Sequence, residues 1–135
     1  MRNLIFCFIL GLVVFSCDSY KTAGGTAVNP KHAAGDTVRI ANDSLEYEII
    51  IIEPGFNNWL VTQFPEDYYS LSYLENRNRF YVAEWNRRVL NATLYDSRLY
   101  EMQINYEPNI RYGKEVNYLL YNYFVYFQKT YRQSL

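Results

Sequence analysis

Three ionic side chains, Arg77, Glu84 and Arg88, fall on a helical stripe otherwise made of Tyr73, Tyr81 and Trp85. Arg77 to Glu84 is a seven-residue step and Glu84 to Arg88 a four-residue step, so all three lie on a face that should touch a core. Two arrangements satisfy that spacing. The charges can sit at the edge of the face, with stems buried and heads paired or wet. Alternatively they line a polar pocket in which Arg77 and Arg88 hold an anionic or hydroxyl-rich ligand while Tyr81 and Trp85 cover its apolar face. A second candidate surface, Asn117, Tyr118, Tyr121 and Asn122, combines aromatic area with amide groups, the composition that interfaces favour, although core filling uses the same residues.

Other chemistry is sparse. His32 is the one histidine, which leaves no His-activated nucleophile and no multi-histidine metal site. Carboxylates are the remaining acid-base groups. Glu75 and Glu84 are nine residues apart, about 13.5 Å along a helix, beyond the roughly 5 to 9.5 Å of a glycosidase pair. Pairs drawn from different elements depend on tertiary structure. No run matches a catalytic, metal or nucleotide motif whose spacing dictates a reaction, so neither a metal nor a cofactor is expected.

The N-terminus carries the most specific signal. Arg2 supplies a positive start, Leu4 to Phe15 an apolar run, and Val14-Phe15-Ser16-Cys17 reads as a lipoprotein signal whose Cys17 is lipidated after removal of residues 1–16. Twelve helical residues span about 18 Å, short of a hydrocarbon core of roughly 30 Å, which disfavours a retained transmembrane helix. Two or more acyl chains would give lasting attachment to the lipid bilayer. Cys7 is lost with the leader and Cys17 is consumed by its lipid, so no thiol remains for a disulfide, a metal or a nucleophile. The mature chain carries 12 basic against 14 acidic residues once Arg2 is removed, a balance that argues against nonspecific nucleic-acid binding.

These candidate groups need elements to position them. Residues 17–36, rich in Gly, Ala, Thr, Lys and Pro, read as a flexible tether with a reach of about 25 Å. Residues 37–135 hold 14 of the 15 tyrosines and suffice for one domain. Val38 to Ala41 and Leu45 to Glu53 read as strands, the run Ile49 to Ile52 suiting a central strand covered on both faces. A short helix is expected over Phe56 to Phe64 and a long one over Tyr69 to Val89. Tyr100, Met102, Ile104 and Tyr106 alternate with polar residues and predict a third strand paired with the isoleucine strand. Gly113 to Tyr131 predicts a last helix, apolar over a wide arc. The expected fold is α+β: a small antiparallel sheet of about three strands against two longer helices and one short one.

The segments Tyr47-Glu48-Ile49-Ile50-Ile51, Gly55-Phe56 with Trp59-Leu60, Glu84-Trp85-Asn86-Arg87-Arg88-Val89, and Tyr112 through Phe124 resemble an uncharacterised lipoprotein family of Bacteroidota-type bacteria. The resemblance covers roughly residues 36–131 and brings no catalytic residues with it. It implies a lipoprotein in a diderm envelope, attached to the outer membrane, with its facing side open. Asp36-Thr37-Val38 and Asp43-Ser44-Leu45 look like the O-glycosylation triplets of such bacteria.

The expectation is a non-enzymatic envelope module that binds a protein, peptide or glycan through aromatic surface. The alternatives are a carboxylate-dependent hydrolase of envelope polysaccharide or peptidoglycan, and a purely structural component of an envelope assembly.

Overall fold

The computed structural model describes residues 37–135. The expected leader over 1–16 and the lipidated tether over 17–36, with Cys17 and His32, lie outside the described residues. Two strands, β1 (Thr37–Asn42) and β2 (Tyr47–Ile52), form an antiparallel hairpin whose register runs from Thr37 opposite Ile52 to Asn42 opposite Tyr47. Its turn is a short 3-10 segment, Asp43–Leu45, closed by Glu46 in the left-handed region at φ 52°. Asn42 serves both sides of this turn: its Oδ1 accepts from the Ser44 N–H at 3.1 Å, and its Nδ2 donates to the Tyr112 carbonyl at 2.8 Å.

The register puts Val38 beside Ile51 and Ile40 beside Ile49 on the inward face. The outward face carries Arg39, which pairs with Glu48 and Asp43, together with Ile50 and Ile52, 56% and 77% exposed. The isoleucine run is therefore not a central strand covered on both faces. Its residues alternate between core and solvent, because the pleat sends successive side chains to opposite faces and only one face of the hairpin packs on the core.

Three helices complete the described chain: α1 (Phe56–Leu60), α2 (Leu71–Val89) and α3 (Lys114–Thr130). The first is shorter than the expected Phe56 to Phe64, since Val61 and Phe64 find no core and stand exposed. Gly55 opens it at φ +83°, and Phe56 inserts fully buried against Tyr123 and Tyr126. A Cβ on Gly55 would lie 2.9 Å from Tyr126 Oη, which donates to the Pro54 carbonyl at 2.6 Å. Gly55→Ala should therefore lower the unfolding free energy by about 1–2 kcal/mol from backbone strain, with an added cost for displacing Tyr126. Urea titration checks this against Gly113→Ala, where the nearest atom is 3.7 Å away and the backbone penalty stands alone.

Helix α2 begins at Ser70, whose hydroxyl accepts from the Tyr73 N–H at 3.2 Å, and buries Leu74, Asn78, Tyr81, Val82, Trp85 and Arg88 along one stripe. Helix α3 buries eight of its seventeen residues, the wide apolar arc expected, because it packs against α2, α1 and the hairpin together. A polar pin joins the two long helices inside this core. Asn78 Nδ2 donates to the Asn117 carbonyl at 2.9 Å and to its Oδ1 at 3.0 Å, and Tyr106 Oη donates to the same Oδ1 at 2.7 Å.

The third strand does not form. Residues Tyr100 to Tyr106 are irregular, and among the described residues the sheet has two strands. Side chains of α2 have taken the backbone groups a ladder would use. Trp85 Nε1 donates to the Met102 carbonyl at 2.8 Å, while Asn86 accepts from the Ile104 N–H and donates to its carbonyl, both at 2.8 Å. Tyr47 Oη reaches the Asn105 carbonyl at 2.7 Å. These side-chain bonds, one of them from Tyr47 of β2 itself, occupy the Met102, Ile104 and Asn105 backbone groups that a ladder with the β2 backbone would use.

Candidate functional site

The head groups of Arg77, Glu84 and Arg88 are spread along α2 and bonded to neighbouring groups of the protein. Eleven residues separate the arginines, about 16.5 Å along α2, and each already has partners. Arg77 donates to Tyr81 Oη and lies 4.6 Å from that ring. Arg88 is buried, donating to Glu84 at 2.7 Å, to Tyr100 Oη at 2.8 Å and to the Ser134 carbonyl. Glu84 also receives a two-pronged contact from Arg87 at 2.6 and 2.8 Å, and the hydrogen bonds from its arginines hold its pKa down at about 2. This is the edge arrangement, with stems buried and heads paired.

The candidates on α3 divide. Asn117 and Asn122 are fully buried; the first belongs to the pin with Asn78 and the second donates to the Tyr118 carbonyl at 2.9 Å, so neither reaches a surface. Tyr118 and Tyr121 are half-buried. Tyr118 Oη donates to the Phe64 carbonyl at 2.8 Å, and Tyr121 meets Tyr73 Oη at 3.3 Å and the Tyr69 ring at 5.3 Å. With Phe64 stacked on Tyr68 at 4.2 Å, these rings make an exposed aromatic face whose polar tips are largely engaged among themselves.

Trp85 leads elsewhere. Its indole forms part of a groove of about 540 Å³ that opens where the third strand would have been. One wall is Ile49–Glu53, at the edge of β2 away from β1; the other is Leu99 with Glu101–Ile104. Trp85, Tyr123, Phe127 and Tyr131 supply its aromatic base. Trp85 packs against Phe127 at 4.8 Å and Tyr100 at 5.0 Å, so the base is a rigid continuation of the core. Exposed Ile50, Ile52 and Met102 stand along its opening.

Three charged residues line the same groove. Glu53 is buried, with Tyr131 Oη donating to its Oε1 at 3.0 Å. Burial pushes its pKa above the usual 4.5 and the Tyr131 hydrogen bond opposes that rise. Glu101 is exposed. Arg98 is held by Asp96 through a two-pronged contact at 2.7 and 3.0 Å, which keeps Asp96 at about 2. Tyr123, at the base, is pushed well up by burial and further by Glu53 and Glu101 among its neighbours.

A carboxyl whose pKa is higher in the fold than in the open chain contributes stability below its unfolded pKa, and that contribution is lost as pH rises through the folded value. Glu53→Gln keeps an oxygen for Tyr131 and removes the charge. Its stability relative to the parent should therefore increase between about pH 4 and pH 7, as urea titrations at both pH values would show. A constant difference would mean that Glu53 is not penalised by burial.

Sequence reasoning missed Glu53 and Met102 as groove residues. One local signal was available for the first: a carboxylate directly ending four isoleucines and preceding Pro54-Gly55, where the strand plunges toward the core. Among the described residues no group of three or more His, Cys, Asp or Glu could hold a metal, and no helix is long and apolar enough to cross a membrane. A sequence model for a family of unknown function, DUF6146, matches residues 4–135. No curated protein and no solved structure matches the chain.

Proposed function

The chain belongs to this family of unknown function, and we propose that it is an envelope lipoprotein, anchored through acylated Cys17, whose domain binds a ligand in the groove between β2 and Leu99–Ile104. The observation that carries the reading is the groove itself. It has room for a ligand, an apolar base and few polar groups, the usual anatomy of a binding site. The leader and lipid attachment rest on the sequence Val14-Phe15-Ser16-Cys17, and outer-membrane attachment on the resemblance to Bacteroidota-type lipoproteins. A tether of about 25 Å reach would let the groove meet a partner near the membrane surface.

A photoreactive amino acid placed at Ile50 or Met102 in cells should capture a specific neighbour that the same group at Lys129 does not. Identical recovery of abundant envelope proteins from all three positions would refute the binding reading. Radiolabelled fatty acid should enter the parent and not Cys17→Ser; equal labelling would refute the anchor.

One observation favours a second reading. Glu53, whose pKa burial pushes above the usual 4.5, and Glu101 line one groove, and a polysaccharide hydrolase needs two carboxyl groups in one cleft. Release of reducing ends from envelope polysaccharide or peptidoglycan, abolished in both Glu53→Gln and Glu101→Gln, would establish it. Persistence of release in either variant would remove it.

A further inference from the structure

We propose that the ligand of this groove is an extended polypeptide segment that adds to the open edge of β2 as a third strand and brings a basic side chain to Glu53 and Glu101. The inference rests on the groove being a binding site and names what fills it.

In an antiparallel pair every second residue turns its N–H and C=O away from the partner strand. On β2 those groups face the groove, and among the described residues no backbone hydrogen bond joins β2 to Leu99–Ile104. Natural edge strands are protected by lysine, proline, a bulge or a cover. The stretch Ile49–Ile52 has neither a lysine nor a proline, and the segment that could cover it is bonded instead to Trp85 and Asn86. An edge kept open in this way is suited to main-chain pairing with a peptide, whose alternate side chains would meet the aromatic base on one side and Ile50, Ile52 and Met102 on the other.

The opposite wall decides between a peptide and a second copy of this chain. Leu99–Ile104 lines the same groove as the edge, so a chain that pairs with β2 there lies beside this wall, and a volume of about 540 Å³ matches a short peptide segment better than a second domain. Charge selects further. Arg98 is already engaged by Asp96, whereas neither Glu53 nor Glu101 has an ion-pair partner among the described residues, so the groove is acidic. A lysine or arginine in the incoming segment would complement it.

The test is selection of random dodecapeptides displayed on phage against the full-length lipidated protein in detergent micelles. Enriched sequences should alternate aliphatic with polar residues and contain Lys or Arg. In synthetic versions, N-methylation of alternate amides should weaken binding at least tenfold in one register and leave the other register unchanged, since half the amides of an added strand face its partner. The double variant Glu53→Gln, Glu101→Gln should bind the same peptides at least fivefold more weakly and lose the preference for basic residues.

Indifference to N-methylation in both registers, or no enrichment at all, overturns strand addition. Groove binding by a hexamer of N-acetylglucosamine in the absence of peptide binding overturns it while leaving the groove a binding site. Protomer-to-protomer crosslinking from Met102 without peptide binding assigns the edge to a second copy and also overturns it. If peptide, sugar and second copy all fail and photocapture from Met102 finds no specific neighbour, the binding reading falls with it.

Discussion

Trp85→Ala lowers the unfolding free energy by about 3–5 kcal/mol and reshapes the groove. The indole is almost fully buried and touches Tyr100, Tyr123, Phe124 and Phe127, so its removal leaves a void beneath both α3 and the Tyr100 loop. A second consequence is separable. The indole N–H holds the Met102 carbonyl, and without it the outer wall loses one of its bonds to α2. Trp85→Phe keeps most of the volume and deletes that donor, so it should cost less, about 1–2 kcal/mol. Equilibrium urea unfolding reads the two magnitudes. Amide exchange near Met102 should accelerate in both variants, and unchanged exchange would show that the indole does not restrain the wall.

Arg88→Leu should cost about 3 kcal/mol, although the two side chains are of comparable bulk. The guanidinium ties α2 to three other places: Glu84 on its own helix, Tyr100 in the loop and the Ser134 carbonyl near the C-terminus. It also lies 4.9 Å from the Tyr95 ring and 5.5 Å from that of Tyr100. Leucine supplies none of the donors. Glu84 keeps Arg87 and Tyr100 keeps Gln133, which limits the loss, while the Ser134 carbonyl loses this donor. Residues 131–135 should then fray, and carboxypeptidase should release Leu135 faster from the variant than from the parent. Arg88→Lys should recover little, because one ammonium cannot reproduce a planar fork reaching in several directions. Full recovery by lysine would mean that charge alone, not geometry, holds the terminus.

Much of this architecture is legible in the residues because it is governed by local period. The four-residue steps from Tyr81 to Trp85 and from Val116 through Leu120 report α2 and α3, and Asn42-Asp43-Ser44 reports the hairpin turn. Tyr100 to Tyr106 misleads because its alternation is partly real, with Tyr100 and Ile104 buried and Glu101, Gln103 and Asn105 exposed, while Met102 breaks the pattern by standing exposed with the polar residues. What decides whether an alternating segment becomes a strand is where its backbone groups bond. Here they bond to Trp85 and Asn86, more than fifteen residues away, through side chains whose reach no local pattern encodes.

The same reason hides the site. Arg77, Glu84 and Arg88 share a face by period, yet their partners Tyr81, Arg87, Tyr100 and Ser134 convert them into struts. The groove, by contrast, is a consequence of a strand that does not form. Glu53 and Glu101 come to line one groove only in three dimensions, and only Trp85 among the candidate residues reaches it.

The central claim is that the outer edge of β2 is open, and amide hydrogen exchange across Tyr47–Ile52 in the purified full-length protein tests it most directly. Alternate residues should separate into slow amides, paired with β1, and fast amides that face the groove. Slow exchange at every amide of β2 in the absence of any ligand would mean that Leu99–Ile104 already pairs with this edge, and would contradict both the groove and the function proposed for it.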